Sequence, residues 1–252
     1  MTRRIPARAV SPTPAAPSPH LPHLGDRPLV VVPTYQEAAN IAALIVAIGQ
    51  HLPAARVLVV DDGSPDGTAD RAVSAGAMVL RREGPRGLGP AYRAGFARAL
   101  LGGFDPIFQM DADLSHDPAD LPRLAAALDH ADLSLGSRYV AGGGTQNWSA
   151  GRRALSRFGG AYARFCLGLP IRDPTGGFKG WRAAALARIT PETLRADGYS
   201  FQVEANFRAV QQGLVVVEVP ILFTERRAGR SKMNPRIALE AAWSVPALRL
   251  RS

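Results

Sequence analysis

The sequence predicts an α/β protein with a mostly parallel central sheet flanked by helices, and three observations carry that prediction. Short aliphatic runs alternate with stretches whose apolar residues recur at helical spacing, the pattern of repeated strand-helix units. The runs are apolar throughout, as expected of strands covered on both faces. Acidic residues follow three of these runs, at the C-terminal strand ends where ligands bind in such sheets.

The elements follow in order. Residues 1–26 hold six prolines and almost no large apolar side chains, which predicts a disordered tail or interdomain linker. A signal peptide's apolar region is missing, and the prolines would break the helix of a transit peptide. Pro28–Pro33 reads as the first strand, and Ala38–Leu52 as a helix through Ile41, Leu44, Ile45 and Ile48. Arg56–Val60 is a second strand running into Asp61-Asp62-Gly63-Ser64-Pro65-Asp66-Gly67-Thr68, a turn with capping residues for the next helix. Ala77–Arg81 is a third strand, Gly89–Leu101 a helix, Pro106–Met110 a fourth strand, Pro118–His130 a helix and Asp132–Tyr139 a fifth strand. Gly84–Gly89 reads as a flexible turn, and Gly142–Gly144 as a mobile lid or acceptor loop. Leu155, Phe158, Tyr162, Phe165 and Leu167 lie among Arg152, Arg153, Arg157 and Arg164. That pattern gives a basic amphipathic helix, suited either to a membrane interface or to packing on the sheet. Residues 236–252 are expected to form a C-terminal amphipathic helix at the membrane interface, with Trp243 at the contact. Glu240, Pro246 and Arg249 interrupt that segment, and no stretch reaches the roughly 18 to 20 apolar residues of a membrane-spanning helix.

The net charge of +9 is concentrated in the second half. Arg138 to Arg182 contains eight basic residues against Asp173 alone, and Glu225 to Ser252 seven against two acidic ones. Such a surface suits nucleic acid, anionic lipid or a phosphorylated small molecule. The single cysteine, Cys166, excludes an internal disulfide. No GKS or GKT follows GPRGLG, so it is not a P-loop, and no GxGxxG follows the first strand, which disfavours a dinucleotide dehydrogenase.

The strongest pointer to chemistry is Asp111-Ala112-Asp113. Three strand ends bring Glu37, Asp61, Asp62, Asp111 and Asp113 toward one rim, and five carboxylates cannot crowd there unpaired without strongly raised pKa values. A divalent metal held by Asp111 and Asp113 and shared with a diphosphate resolves the conflict. Such oxygen ligands suit Mg²⁺ or Mn²⁺, with Asp62 or Glu37 left to hold a base or ribose. Plainer roles exist for each: an acidic pair also occurs as solvated loop residues, Asp61 and Asp66 also cap a helix, Glu37 also starts one, and His116 reads as a loop or helix-start residue.

The segments VVPTYQEAANI, VLVVDDGSPDGTAD, GLGPAYRAGFARAL, QMDADLSHDP, GSRYV, DPTGGFKGWR and FTERRAGRSKM occur in this order. Over residues 28 to 235 the chain thereby resembles the dolichyl-phosphate or polyprenyl-phosphate mannosyltransferases, inverting glycosyltransferases. The resemblance implies a single-domain glycosyltransferase A-type (Rossmann-like) fold spanning 27–235. It also implies that Pro33, Tyr35, Glu37, Val60 and Asp62 hold the guanosine of GDP-mannose. Asp111 and Asp113 would bind the metal and diphosphate, with the Ala112 backbone alongside, and Arg138, Lys179, Arg226 and Lys232 would grip phosphates of donor and acceptor. Two departures stand out. Gln36 replaces the asparagine of the relatives' TYNE, and Ser115 stands where they often have glutamine, leaving the third metal ligand open to Ser115 or water.

The chemistry so implied needs charge compensation more than proton transfer. A phosphate monoester has a second pKa near 6, so a polyprenyl phosphate is already mostly dianionic at neutral pH and needs no general base. Asp111, Asp113 and Arg138 are thus the expected catalytic groups. The expected setting is peripheral, on the cytoplasmic face of a membrane, with a separate or fused anchor and no nucleic acid. Two alternatives are a UDP-sugar donor such as UDP-glucose and a nucleotidyltransferase; a third is a basic nucleic-acid or anionic-membrane binding module without catalysis.

Overall fold

The structure, a computed structural model, describes residues 27–225 and 245–249. The expected tail, Trp243, Arg226 and Lys232 lie outside these residues. Strands β1 (Leu29–Thr34), β2 (Arg56–Asp61), β3 (Met78–Arg81), β4 (Ile107–Gln109) and β5 (Leu133–Ser137) lie where the aliphatic runs predict them. On β1, Leu29 and Val31 enter one core cluster, and Val30 and Val32 enter another. That two-sided burial is why the run is apolar at every position.

One seven-stranded sheet runs in the order β3-β2-β1-β4-β7-β5-β8, where β7 is Lys179–Trp181 and β8 is Val216–Pro220. β7 alone is antiparallel to its neighbours. The sequence reading does not foresee it, because Lys-Gly-Trp is too short to show a period. Gly180 is required at its centre: a Cβ there would fall 2.7 Å from both Phe108 Cε1 and Ser134 Oγ on the flanking strands.

Helices cover both faces. α1 (Ile41–His51) buries Ile41, Leu44, Ile45 and Ile48 on one side. α2 (Thr68–Ser74) follows the Asp61–Thr68 turn. α3 (Leu88–Leu101) covers the other face, and its Gly95 lets the helix approach closely, since a Cβ there would lie 2.5 Å from Val31 Cγ1. α4 (Leu121–Ala127) is shorter than the predicted helix, because Pro118–Asp120 forms a separate 3₁₀ turn before it. α5 (Ala150–Leu167) is capped by the Ser149 hydroxyl and ends at the left-handed Gly168. After the short α6 (Ala183–Arg188), α7 (Gly198–Gln211) buries Phe201, which stacks with Tyr92 and Phe96 of α3 at centroid distances of 5.6 and 6.5 Å.

The glycine run at 142–144 is not a free lid. Gly144–Gln146 is strand β6, paired in parallel with β9 (Leu222–Thr224). A Cβ on Gly143 would sit 2.4 Å from the Ser137 carbonyl oxygen, so glycine here permits close approach rather than motion. The expected amphipathic stripe of α5 also divides. Ala163 and Leu167 pack with Val203 and Phe207 of α7 and with Val245 and Leu248, while Leu155, Phe158 and Phe165 stay exposed.

Candidate active site

A cavity of about 470 Å³ lies at the C-terminal ends of β1, β2, β4 and β5, the rim where an open α/β sheet binds ligands. Pro33, Tyr35, Glu37, Asp62, Asp111, Ala112, Asp113 and Arg138 all line it. The acidic strand ends and one arginine of the basic half therefore meet as the sequence predicts.

The two aspartates of the first acidic pair have separated duties. Asp61 is buried and accepts from Thr34 Oγ1 at 3.0 Å, Ser64 N–H at 2.9 Å and Ser64 Oγ at 2.6 Å; it ties the turn together. Asp62 faces the cavity but is already engaged, by an ion pair with Arg82 and by the Gly87 N–H at 2.9 Å. Asp66 accepts from the Thr68 hydroxyl and from the Ala38 N–H, joining the start of α2 to the loop after β1. Glu37 accepts from Asn40 Nδ2 at 2.9 Å, and its N–H donates to Thr68 Oγ1. Above them Arg86 lies over the Tyr35 ring at 4.4 Å, a cation-π pair on the cavity wall.

After β4 the chain turns sharply. Leu114 has φ +61°, an uncommon conformation for a leucine. Beyond it Ser115 turns back so that its N–H and Oγ donate to Asp113 Oδ1, at 3.1 and 2.5 Å. Ser115 is buried, off the cavity wall, and touches Asp113 from behind. His116 lines the cavity, stacks on Phe178 at 5.0 Å, and accepts the Asp111 N–H on Nδ1 at 3.3 Å. Burial pushes its pKa below the ordinary value, despite the pull of Asp111 and Asp113 in the opposite direction. A neutral ring accepting on Nδ1 carries its proton on Nε2, and its position fits a support for the Asp111 loop.

Arg138 is buried against Asp173. Its Nε and Nη2 reach the two carboxylate oxygens at 2.7 and 2.6 Å, and Nη2 also meets Thr175 Oγ1 at 2.8 Å. Burial alone would lower the Arg138 pKa, but Asp173 more than cancels this and holds it above its ordinary value. Burial likewise pushes the Asp173 carboxyl up, and Arg138 brings it below the usual range. The sequence reading counts Asp173 only as the one acid in a basic stretch and misses this bidentate pair, which is built across 35 residues.

Three expected contacts are not on the cavity wall. Val60 is fully buried in the core beneath α3. Ser115 lies behind Asp113. Lys179 is fully buried as well: strand alternation turns it and Trp181 to one face of β7, and its Nζ meets the Gln202 carbonyl at 3.3 Å. Burial pulls the Lys179 pKa down to about 7, with Asp173 opposing. In the opposite direction, Arg152 does line the cavity, where the sequence reading gives it no chemistry; it lies 4.1 Å over the Trp148 ring and pairs with Glu225 at 2.6 Å. Asp197, Tyr199 and Gln202 of the α7 N-terminal region are also on the wall, and nothing in the sequence marks them as site residues. Tyr199 and Gln202 carry no charge and no clear period, and Asp197 does not close an aliphatic run as the acids of the strand ends do.

The family model described as glycosyl transferase family 2 matches residues 29–190, most of the chain. The chain belongs to this family. As a family 2 glycosyltransferase it is similar to the polyprenol monophosphomannose synthase of Mycolicibacterium smegmatis, with 43% identity over 226 residues covering 87% of this chain and 85% of that protein. It is equally similar to the undecaprenyl-phosphate mannosyltransferase of Micrococcus luteus, 43% identical over 224 residues, covering 87% of this chain and 92% of that protein. The motif resemblance thus meets relatives of the kind it named. Among solved structures, glucosyl-3-phosphoglycerate synthase from Mycobacterium tuberculosis, in complex with Mn²⁺, UDP and glucosyl-3-phosphoglycerate, superposes with a TM-score of 0.65 at 22% identity. That match covers 90% of this chain and 80% of that one, and it fixes the A-type glycosyltransferase fold.

Glycosyltransferase chemistry suits this wall. Carboxylates Asp111 and Asp113 and guanidinium groups Arg86, Arg138 and Arg152 share one cavity, so opposite charges are available for a substrate carrying both a leaving group and phosphates. Among the described residues no cluster of three or more His, Cys, Asp or Glu side chains is arranged to hold a metal ion, and none of the helices is long and apolar enough to cross a membrane.

Proposed function

We propose that the protein transfers mannose from GDP-mannose to a polyprenyl (dolichyl) monophosphate with inversion, giving a β-linked mannosyl phosphodiester. The observation that carries this reading is that the Asp111 and Asp113 carboxylates share one cavity with the Arg138 and Arg152 guanidinium groups. The names of the 43%-identical relatives supply the substrate class.

Pro33, Tyr35, Glu37 and Asp62 form the nucleoside end of the site, and Asp111, Ala112 and Asp113 the diphosphate end. Asp111 and Asp113 would hold Mg²⁺ or Mn²⁺ through carboxylate oxygens, the donor type these ions take, and Ser115 fixes one oxygen of Asp113. Such a metal, when bound, supplies charge neutralisation at the leaving diphosphate. Arg138 and Arg152 hold the acceptor phosphate, joined in the full chain by Arg226 and Lys232. Because the acceptor is dianionic at neutral pH, its oxygen attacks the anomeric carbon directly, and His116 takes no proton. The protein works peripherally at the cytoplasmic face of a membrane, with or without a separate or fused anchor. The exposed Leu155, Phe158 and Phe165 of α5, set among arginines, support the membrane contact.

The test is transfer of radiolabel to a lipid extract. With polyprenyl phosphate and Mg²⁺ or Mn²⁺, GDP-[¹⁴C]mannose yields lipid-extractable label released as β-mannosyl phosphate, and UDP-[¹⁴C]glucose yields none. Label from UDP-glucose alone refutes the donor, and no transfer from any sugar nucleotide refutes the enzyme reading.

A further inference from the structure

A polar chain with a direction runs from the core to the cavity at Gln202. The Trp181 indole can only donate, and its Nε1–H reaches Gln109 Oε1 at 3.0 Å. Gln109 must therefore turn Nε2 the other way, where it donates to Gln202 Oε1 at 2.9 Å. Gln202 is left presenting its own Nε2, which has no hydrogen-bond partner among the described residues in a side chain only 3% exposed. A buried amide donor without an acceptor is costly, and Gln202 belongs to the cavity lining. A fixed, unsatisfied donor at the floor of a binding cavity is aimed at a ligand oxygen.

The neighbours decide which kind of oxygen. A Cβ built on Gly177 would lie 3.5 Å from Gln202 Nε2, 3.6 Å from His116 Cε1 and 3.7 Å from Asp111 Oδ2. One small gap is thus shared by an amide donor and a carboxylate acceptor. A phosphate oxygen there would satisfy the amide but face the Asp111 carboxylate with like charge. The three atoms nearest that gap include no cation, and Arg138 and Arg152, which hold phosphate in the function proposed above, act elsewhere on the wall. A hydroxyl fits both neighbours, accepting from Gln202 Nε2 and donating to Asp111 Oδ2. We propose that Gln202 is a donor-specificity residue whose amide holds one hydroxyl of the transferred hexose, in the gap left by the missing side chain of Gly177. The identity of that hexose as mannose rests on the function proposed above; the amide's role does not.

Calorimetric titration of the full chain with Mn²⁺ tests it, comparing GDP with GDP-mannose and with GDP-mannose analogues lacking one hydroxyl each. Gln202→Met should leave GDP affinity unchanged and weaken GDP-mannose about tenfold. With one deoxy analogue the same substitution should cost nothing further, because the partner hydroxyl is already gone. Gly177→Ala, which leaves the amide chain intact and fills the gap at ordinary contact distance, should also weaken GDP-mannose more than GDP. Equal losses for GDP and GDP-mannose in both variants, or a Gln202→Met penalty that persists with every deoxy analogue, would overturn the proposal. If the wild-type chain binds UDP-glucose and not GDP-mannose, the mannose reading fails. The Gln202 comparison is then made with UDP, UDP-glucose and its deoxy analogues, under the same criteria.

Discussion

At the scale of single residues, the sequence exposes charge but not what the charge faces. Asp111 and Asp113 were legible because carboxylates closing a buried strand need a counter-charge. Substituting either with alanine should reduce transfer about a hundredfold or more. Asp111→Ala should leave the denaturant midpoint nearly unchanged, whereas Asp113→Ala should also lower it, because buried Ser115 loses its acceptor, as activity assays and urea titration would show. Arg138 was legible as a site residue, but its partner was not. Asp173→Ala strands the Arg138 guanidinium, buried at 5% side-chain exposure. Unfolding stability should then fall by roughly 3–5 kcal/mol, the usual result of removing one partner of a buried pair. The resemblance places Lys179 among the phosphate contacts, whereas β7 turns its side chain inward and buries it. Below pH of about 7 folded and unfolded chains both hold its proton; between about 7 and the ordinary 10.5 only the unfolded chain does. Stability should therefore climb with pH through that window. Lys179→Met should remove this climb, so the stability difference between variant and wild type shrinks from pH 7 to pH 10. A difference that does not change with pH refutes the buried-lysine assignment.

At the scale of elements, period and burial were readable where elements are long. The five strands and helices α1 and α3 announced themselves by apolar spacing. β7 did not, because three residues carry no period, and α7 did not, because its buried Gln202, Glu204 and Asn206 mask the apolar pattern. Glycine runs misled for another reason: sequence cannot separate a glycine needed for motion from one needed for contact, and Gly143 is the second kind. α5 holds the clearest element-level prediction. Phe158 and Phe165 are 72% and 87% exposed on a helix whose other stripe is packed. Exposed aromatic side chains flanked by arginines are suited to an anionic lipid surface. In liposome flotation with anionic phospholipid, Phe158→Ser/Phe165→Ser and Arg152→Glu/Arg153→Glu should each lower the bound fraction several-fold. Binding equal to wild type in both would assign these side chains another role.

At the scale of the whole molecule, the alternation of strands and helices dictated where the acids meet. Parallel strands all end on one edge, so sequence segments 50 residues or more apart, such as Tyr35 and Asp111, arrive on one cavity wall. What the alternation could not supply was the α7 side of that cavity, where Asp197, Tyr199 and Gln202 close the floor and rim. The same convergence creates a linkage. Glu37, Asp62, Asp111, Asp113 and Asp197 crowd one cavity, so a divalent cation should bind more tightly when a diphosphate shares it, and the diphosphate more tightly when the cation is present. Near 100 times its Kd a ligand stabilises the fold by about 2.7 kcal/mol, or roughly 5 to 10 °C in Tm for a domain of this size. Thermal unfolding should accordingly shift upward by several degrees with Mn²⁺ and GDP together, and by much less with either alone. EDTA should abolish the GDP shift, and Asp111→Ala should abolish the synergy without changing the Tm of the free protein much. A GDP shift of the same size in EDTA as in Mn²⁺ would separate the nucleotide site from the carboxylate pair and remove the metal from the leaving group.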